Sequence, residues 1–329
     1  MEWKNKTILL VGGTGSFGAA FLEILFEKTP NAIRVYSRDE YKQGLLLDKY
    51  KGNINFSGFI GDIRDKSRLT RAMEGVDIVI HCAALKQVQS CEYNPLETIK
   101  TNILGSMNVI DAALDNNVEK VLAISTDKAV SPLNLYGATK MCMERLMSTA
   151  NSYRGMHKRT KFCSTRYGNV VASRGTIVPF WRELLRKKQP IPITNVKATR
   201  FWIGMKEANG FVAECVELMD LMGGGEIFVP KMSSVNIMDV FQALTNGLST
   251  FTVIGDRVGD KLHETLVSRE EVSHTVDVGN KYIIYPENPH YFYKKPQGYE
   301  CAYRDGYRSD NNRNRLNVDQ IKRTLAENQ

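Results

Sequence analysis

Seven residues, Gly12-Gly13-Thr14-Gly15-Ser16-Phe17-Gly18, stand between an apolar run at Thr7–Val11 and a helical pattern over Phe17–Glu27. Few folds accept a strand that passes to a helix through glycines at three-residue spacing. Glycine allows the tight turn and lets backbone N–H groups approach a pyrophosphate at the helix N-terminus. A glycine loop alone is weak evidence. Its place after the first strand and at the start of the first helix makes dinucleotide binding the reading. Gly12, Gly15 and Gly18 form the turn, with Thr14, Ser16 and Phe17 beside the cofactor.

The rest of the first two thirds fits that start. Apolar runs at Ala32–Tyr36, Ile54–Ile60, Ile78–His81, Lys120–Ser125 and Lys161–Arg166 read as buried strands. Helical periodicity lies between them, at Lys66–Met73, Pro95–Asn117 and Tyr136–Arg154. Strands alternating with helices imply an α/β chain with a doubly wound parallel sheet. Beyond Pro179 the alternation weakens, with helical stretches at Val178–Lys187, Lys206–Met222 and Met238–Leu248. Residues 1–178 are thus expected to form the cofactor domain, with later segments returning to it. Residues 179–329 are expected to form a smaller substrate region packed against it, with the ligand cleft between.

Composition narrows the setting. Hydrophobic residues make up 43% and charged residues 24% of the 329, ordinary for a globular protein. No charged and apolar leader precedes Thr7, and no apolar run approaches the roughly 20 residues that span a bilayer. The six cysteines lack a Cys-x-x-Cys pair, which suits reduced thiols in a cytoplasmic protein. The five histidines lack metal-ligand spacing, so no metal site is expected. The net charge of +8 fits either a solvated basic surface or a field that attracts nucleotide phosphates. Arg186-Lys187-Lys188 reads as an exposed helix end, and nothing points to nucleic acid.

Several residues are placed to choose the cofactor. Arg38 lies about 20 residues beyond Gly18, where an acidic residue would hold an NAD ribose. An arginine there suits a 2′-phosphate and favours NADP, with Ser37 as a donor and Lys42 as a further charge. Asp39 follows directly and keeps NAD open. Asp62 is positioned to accept the adenine amino group with Ile63 on the ring, while Asp65 suits a helix N-cap. Ala83 and Ala84 are small enough for the cofactor ribose to approach the backbone. His81 reads as a packed core residue.

The densest chemistry runs from Ser125 to Lys140. Tyr136 and Lys140, four apart at a helix start, share one face. An ammonium nearby favours the phenolate, which can deprotonate an alcohol as hydride leaves for a nicotinamide. Asp127 and Lys128 end the preceding strand, at the sheet edge where such folds bind ligands. They supply an acid and a base, which oxidation alone does not need. For Asp127 to hold the proton, the site must offset roughly 6 pKa units, or about 9 kcal/mol, between unperturbed groups.

These features resemble the extended short-chain dehydrogenases/reductases. More narrowly, the chain is similar to the inverting UDP-N-acetylglucosamine 4,6-dehydratases that begin pseudaminic acid synthesis. The resemblance runs through the glycine loop, Tyr36–Lys42, Ala83–Val88, Ser125–Lys140, Arg166–Pro179, Thr199–Ile203, Gly255–Glu264 and Ser309-Asp310-Asn311-Asn312. Retaining relatives carry Thr-Asp-Glu where this chain has Thr126-Asp127-Lys128, with the tyrosine much later. The family implies that Tyr136 deprotonates the sugar 4-hydroxyl while C4 gives hydride to NADP. Lys128 then takes the C5 proton, Asp127 protonates the departing C6 hydroxyl, hydride returns to C6, and reprotonation inverts C5.

The resemblance also implies substrate contacts from Lys86, Thr126, Lys128, Asn169, Val178, Thr194, Arg257 and Asp260. It adds Val170, Arg174 and Lys86 on the cofactor side. Val258 and Asp260 depart from the Arg-Pro-Gly-Glu-Lys loop common in relatives, while Lys261, His263 and Glu264 match it, Glu264 as a loop support. A homo-oligomer is the family's expectation. Two other readings stand beside this one: a retaining dehydratase or an epimerase on a UDP-sugar, and a catalytically silent NADP-binding sensor.

Overall fold

The computed structural model describes residues 1–155, 159–171, 173, 175–287 and 293–328. Its centre is a parallel sheet whose first six strands are β1 (Thr7–Val11), β2 (Ala32–Ser37), β3 (Phe56–Ile60), β4 (Ile78–His81), β5 (Lys120–Thr126) and β6 (Lys161–Tyr167). They lie in the order β3-β2-β1-β4-β5-β6. The order reverses beside β1, and the first glycine turn opens there, at the switch point where doubly wound sheets take ligands.

All five residues of β1 are buried. The pleat divides them: Ile8 and Leu10 join the core under helix Ser16–Lys28. Leu9 and Val11 join the core under helices Lys66–Ala72, Gly105–Asp115 and Leu135–Tyr153. Helices on both faces account for strands that are apolar throughout rather than alternating.

Later segments extend the sheet beyond β6. Ile227–Pro230 pairs parallel with β6, and Lys281–Ile284 pairs antiparallel with it in turn. Thr275–Asp277 and Tyr299–Glu300 complete that edge. The remainder makes a third core around Trp181, Ile191, Trp202, Phe241, Ile321 and Leu325. It stands over the carboxyl ends of the parallel strands, and the cleft opens between the two parts. Among the described residues, no helix is long and apolar enough to cross a membrane.

Two expected elements differ. Ile54 stands outside β3 and is 96% exposed. The helix expected over Pro95–Asn117 is broken: Pro95–Ile99, a turn of π-helix at Lys100–Leu104, then Gly105–Asp115. The cause lies in buried Asn102. Its side chain turns inward to accept from Leu85 N at 2.8 Å and to donate to Leu85 O and Thr139 Oγ1 at 2.9 and 3.0 Å. One polar side chain thereby ties the loop after β4 to the helix that carries Tyr136. A π-turn inserted beside a site is a recurrent device.

Candidate active site

The cleft holds about 930 Å³ and is bordered by two unlike walls. One wall is backbone. Gly12 has φ +88°, and a Cβ built there would lie 2.6 Å from Ala83 N. A Cβ on Gly18 would meet the Gly13 backbone at 2.5 Å. Only glycine keeps the β1 turn, the loop after β4 and the start of helix Ser16–Lys28 this close. Gly12, Gly15, Ser16, Phe17, Gly18 and Ala84 face the cleft. Thr14 and Ala83 pack just behind them, Thr14 buried. The helix begins at Ser16 with Gly15 as N-cap and no side-chain cap, which leaves its first N–H groups for an anion. This cradle fits a dinucleotide pyrophosphate.

At the far end of that wall, Asp39 caps helix Glu40–Lys49 by accepting from Lys42 N at 2.9 Å. It also forms an ion pair with the Lys42 ammonium. Its carboxylate is thus engaged inside the turn. The Arg38 side chain is 56% exposed and only 3.6 Å from Asp62. Asp62 itself accepts from Arg64 at 2.7 and 3.0 Å, and those bonds hold it below the usual carboxylate range. Ser37 Oγ accepts from Gln43 at 3.0 Å. Ile63 departs from expectation: its side chain is buried against Gly105, so the ring face assigned to it is turned into the core.

The other wall is charge. Asp127 has no solvent exposure, and its Oδ1 accepts from Thr126 Oγ1 at 2.9 Å and from Lys128 Nζ at 3.1 Å. Lys128 Nζ also lies 3.1 Å from Glu264 Oε1, itself buried and brought in from a distant part of the chain. Burial works to lower the Lys128 pKa, but the two carboxylates outweigh it and hold the ammonium above its ordinary range. Burial also raises Asp127, opposed by Lys128 and reinforced by Glu264. Glu264 moves the other way, because Lys128, Arg200 and Lys261 outweigh its burial.

Tyr136 and Lys140 line the cleft between these walls, at the start of helix Leu135–Tyr153. Asn134 caps that helix by accepting from Gly137 N at 2.8 Å. Burial pushes Tyr136 up to about 12, and the cation that opposes this is Lys128. Lys128 is thus a cation acting on Tyr136 that the sequence reading did not pair with it. Lys140 Nζ lies 3.2 Å from Met143 Sδ, and burial lowers it to about 8. Thr126 and Asp127 both act on the Tyr136 phenol, and Thr126 Oγ1 donates to Asp127 Oδ1 at 2.9 Å.

Most of the remaining sequence candidates converge on the same space. Lys86, Thr126, Asn169, Val170, Thr194, Arg257 and Asp260 all line the cleft. Asn169 Oδ1 is buried without a hydrogen-bond partner among the described residues, as a ligand-facing acceptor would be. Val178 does not reach the cleft. It is 1% exposed, on the same helical stripe as Trp181, and packs into the third core. Arg174 lies outside the described residues. The structure adds Arg200, Tyr167 and Gly168 to the lining. A Cβ on Gly168 would lie 3.1 Å from Asp127 Oδ2, so a glycine there makes room for the acid.

Distant segments hold this wall in place. Lys261 Nζ donates to Val130 O, and Asn134 Nδ2 donates to Gly259 O at 2.8 Å, seating the Gly255–Glu264 loop on the turn after β5. Glu264 N donates to Ser309 Oγ at 2.9 Å, and Ser309 N returns a bond to Glu264 O. Buried Arg166 joins Glu144, on the Tyr136 helix, to Glu271 through four bonds of 2.6–3.0 Å.

Comparison with known proteins agrees with this architecture. Residues 8–286 match the family described as "Polysaccharide biosynthesis protein". The inverting UDP-N-acetylglucosamine 4,6-dehydratase of Campylobacter jejuni (serotype O:23/36, strain 81-176) is 48% identical over 86% of this chain and 84% of its own length. The UDP-glucose 4-epimerase of Rickettsia bellii (strain RML369-C) is 39% identical over 98% of this chain and 95% of its own. The crystal structure of Pen from Bacillus thuringiensis superposes with a TM-score of 0.89 at 34% identity, covering 100% of this chain and 99% of that one. With its glycine cradle, Tyr136–Lys140 pair and Asp127–Lys128 pair on one doubly wound sheet, the chain belongs to the polysaccharide biosynthesis protein family, among the short-chain dehydrogenase/reductase folds.

Proposed function

We propose that this protein dehydrates UDP-N-acetylglucosamine at C4/C6 with inversion at C5, using tightly held NADP. The observation that carries the reading is the meeting of Asp127 and Lys128 with Tyr136 and Lys140 in one cleft over the glycine cradle. Elimination of water needs an acid and a base on one substrate, and oxidation needs a third group for the hydroxyl proton.

The cradle of Gly12, Gly15 and Gly18 suits the pyrophosphate, and Arg38 suits a 2′-phosphate because its fork pairs phosphate oxygens. Asp39, engaged as a helix cap, is poorly placed to accept from an unmodified ribose. When bound, NADP supplies the acceptor for the C4 hydride and its return to C6. Tyr136 takes the 4-hydroxyl proton, helped by the Lys128 charge. The C4 ketone acidifies the C5 proton, which Lys128 takes. Asp127 gives its proton to the C6 oxygen, which departs as water. Lys86, Arg200 and Arg257 bring positive charge to the sugar–diphosphate end of the cleft. The six cysteines are free thiols, which fits a reducing compartment and a cytoplasmic enzyme.

The Rickettsia relative supports a second reading, C4 epimerisation of a UDP-sugar. An epimerase removes and returns hydride at C4 and has no use for a buried acid beside a lysine. Incubation with UDP-N-acetylglucosamine followed by product NMR separates them. The expected product has a C6 methyl group, a C4 ketone and an inverted C5. An intact C6 hydroxymethyl with altered C4 would replace dehydration by epimerisation.

A further inference from the structure

We propose that Glu264, pinned by Ser309, is a positioning residue for the elimination step: it takes Lys128 as its ion-pair partner and so leaves the transferable proton on Asp127. This rests on the dehydratase reading above and deepens it. The difficulty it answers is that a bare Asp–Lys pair places the proton on the lysine and leaves no acid.

The geometry removes that difficulty by adding a second carboxylate. Lys128 Nζ stands 3.1 Å from Asp127 Oδ1 and 3.1 Å from Glu264 Oε1. Asp127 and Glu264 are buried on either side of one ammonium, and two buried carboxylates cannot both stay ionised cheaply. Asp127 is the better host for the proton. Asp127 Oδ2 and Glu264 Oε2 are both buried without a hydrogen-bond partner among the described residues, but Oδ2 lies beside Gly168 while Oε2 has the Lys261 ammonium 3.9 Å away. Glu264 faces Lys128, Lys261 at 3.9 Å and the field of Arg200, so its charge is compensated on several sides. The groups facing Asp127 are Lys128, Glu264 and Thr126, with Tyr136 beyond the threonine. Lys261 in turn faces Glu264, Asp127, Lys128 and Arg166. The opposite pKa directions of Asp127 and Glu264 agree with this division.

The proton count then closes. Lys128 hands one ammonium proton along the 3.1 Å contact to Glu264 Oε1 in the same step in which it takes the C5 proton, so no free amine forms. As the C5 proton moves to the Lys128 nitrogen, the C5–H electron pair becomes the C5–C6 double bond, and the C6–O bond breaks with its electrons on oxygen. That oxygen receives the Asp127 proton and leaves as water. Before the step the cluster is a neutral acid, an ammonium and a carboxylate. Afterwards it is the same set, with the roles of Asp127 and Glu264 exchanged. Net charge in the cleft stays constant, which a low-dielectric site favours.

The test uses the NADP-loaded enzyme and its Glu264→Gln and Glu264→Asp variants. Single turnovers on UDP-N-acetylglucosamine follow nicotinamide reduction and water loss separately. For Glu264→Gln, reduction is expected to stay within about threefold while elimination falls roughly 100-fold, the scale of a lost acid–base partner. Removing the neighbouring negative charge lowers the Asp127 pKa, so the alkaline limb of elimination moves to lower pH. Glu264→Asp recovers part of the loss. A proportional loss of both steps, with the limb unmoved, overturns the proposal. Difference infrared spectroscopy without sugar gives an independent arm. A protonated-carboxyl band, identified by its disappearance in Asp127→Asn, is expected to weaken in Glu264→Gln; an unchanged band overturns the proposal. If wild type fails to turn over this sugar, the substrate reading falls, while the infrared result still decides the role of Glu264.

Discussion

The two walls of the cleft differ in material. The cofactor wall is main chain and small residues, close because Gly12, Gly15 and Gly18 have no side chains to keep strands and helix apart. The sugar wall is Asp127, Lys128 and Glu264, buried charges held by one another and by Lys261 and Ser309. The first is a shape that pH and salt scarcely alter. The second is an arrangement of protons, and moving one changes the chemistry while leaving the shape. A dehydrogenase needs only the first wall plus a tyrosine; in the proposed reaction the second converts oxidation into loss of water.

That contrast can be broken most directly at Lys128. Lys128→Ala is expected to lower elimination by about 1,000-fold or more, within the range for a lost acid–base group, while NADP binding persists. Single-turnover kinetics with cofactor titration check this, and near-normal turnover would take Lys128 out of the reaction. Gly12→Ala is the matching change on the other wall. The strained φ costs about 1–2 kcal/mol and the contact with Ala83 adds to it, so NADP affinity should fall at least roughly 10-fold. The loss should be the same at low and high pH, measured by calorimetry; a pH-dependent loss would erase the distinction between the walls. The smallest effect sharpens it. Arg38→Ala should reduce the preference for NADP over NAD by about 10-fold, the worth of one hydrogen bond to a charged group. Unchanged selectivity would move 2′-phosphate recognition elsewhere.

The first wall was legible in the sequence because it is local. The glycine loop and Ala83–Ala84 sit at strand ends, Tyr136–Lys140 open the helix after β5, and strand order brings them together. Ile63 and Val178 were misjudged for one reason. A residue next to a ligand-facing position in sequence takes its direction from the helix or turn, and packing turned both inward. Glu264 was visible only as loop support, because its 3.1 Å contact with Lys128 spans separate parts of the chain. A single carboxylate before the apolar run Thr265–Val267 was the available signal: burial was implied, and a buried carboxylate requires a partner. The break at Asn102 had a weaker signal, an amide inside an otherwise continuous helical pattern.

The bond between Ser309 and Glu264 also sets an order of assembly. Domains generally fold as units as they are synthesised. The core beneath the glycine cradle includes Phe201, Phe228, Tyr282 and Tyr307, so late segments complete the packing under the nucleotide pocket as well. Glu264 is fixed only when the segment around Ser309 arrives to receive its backbone N–H. The late Ser-Asp-Asn-Asn motif is thus a latch, and the charged wall is complete only when that segment is in place.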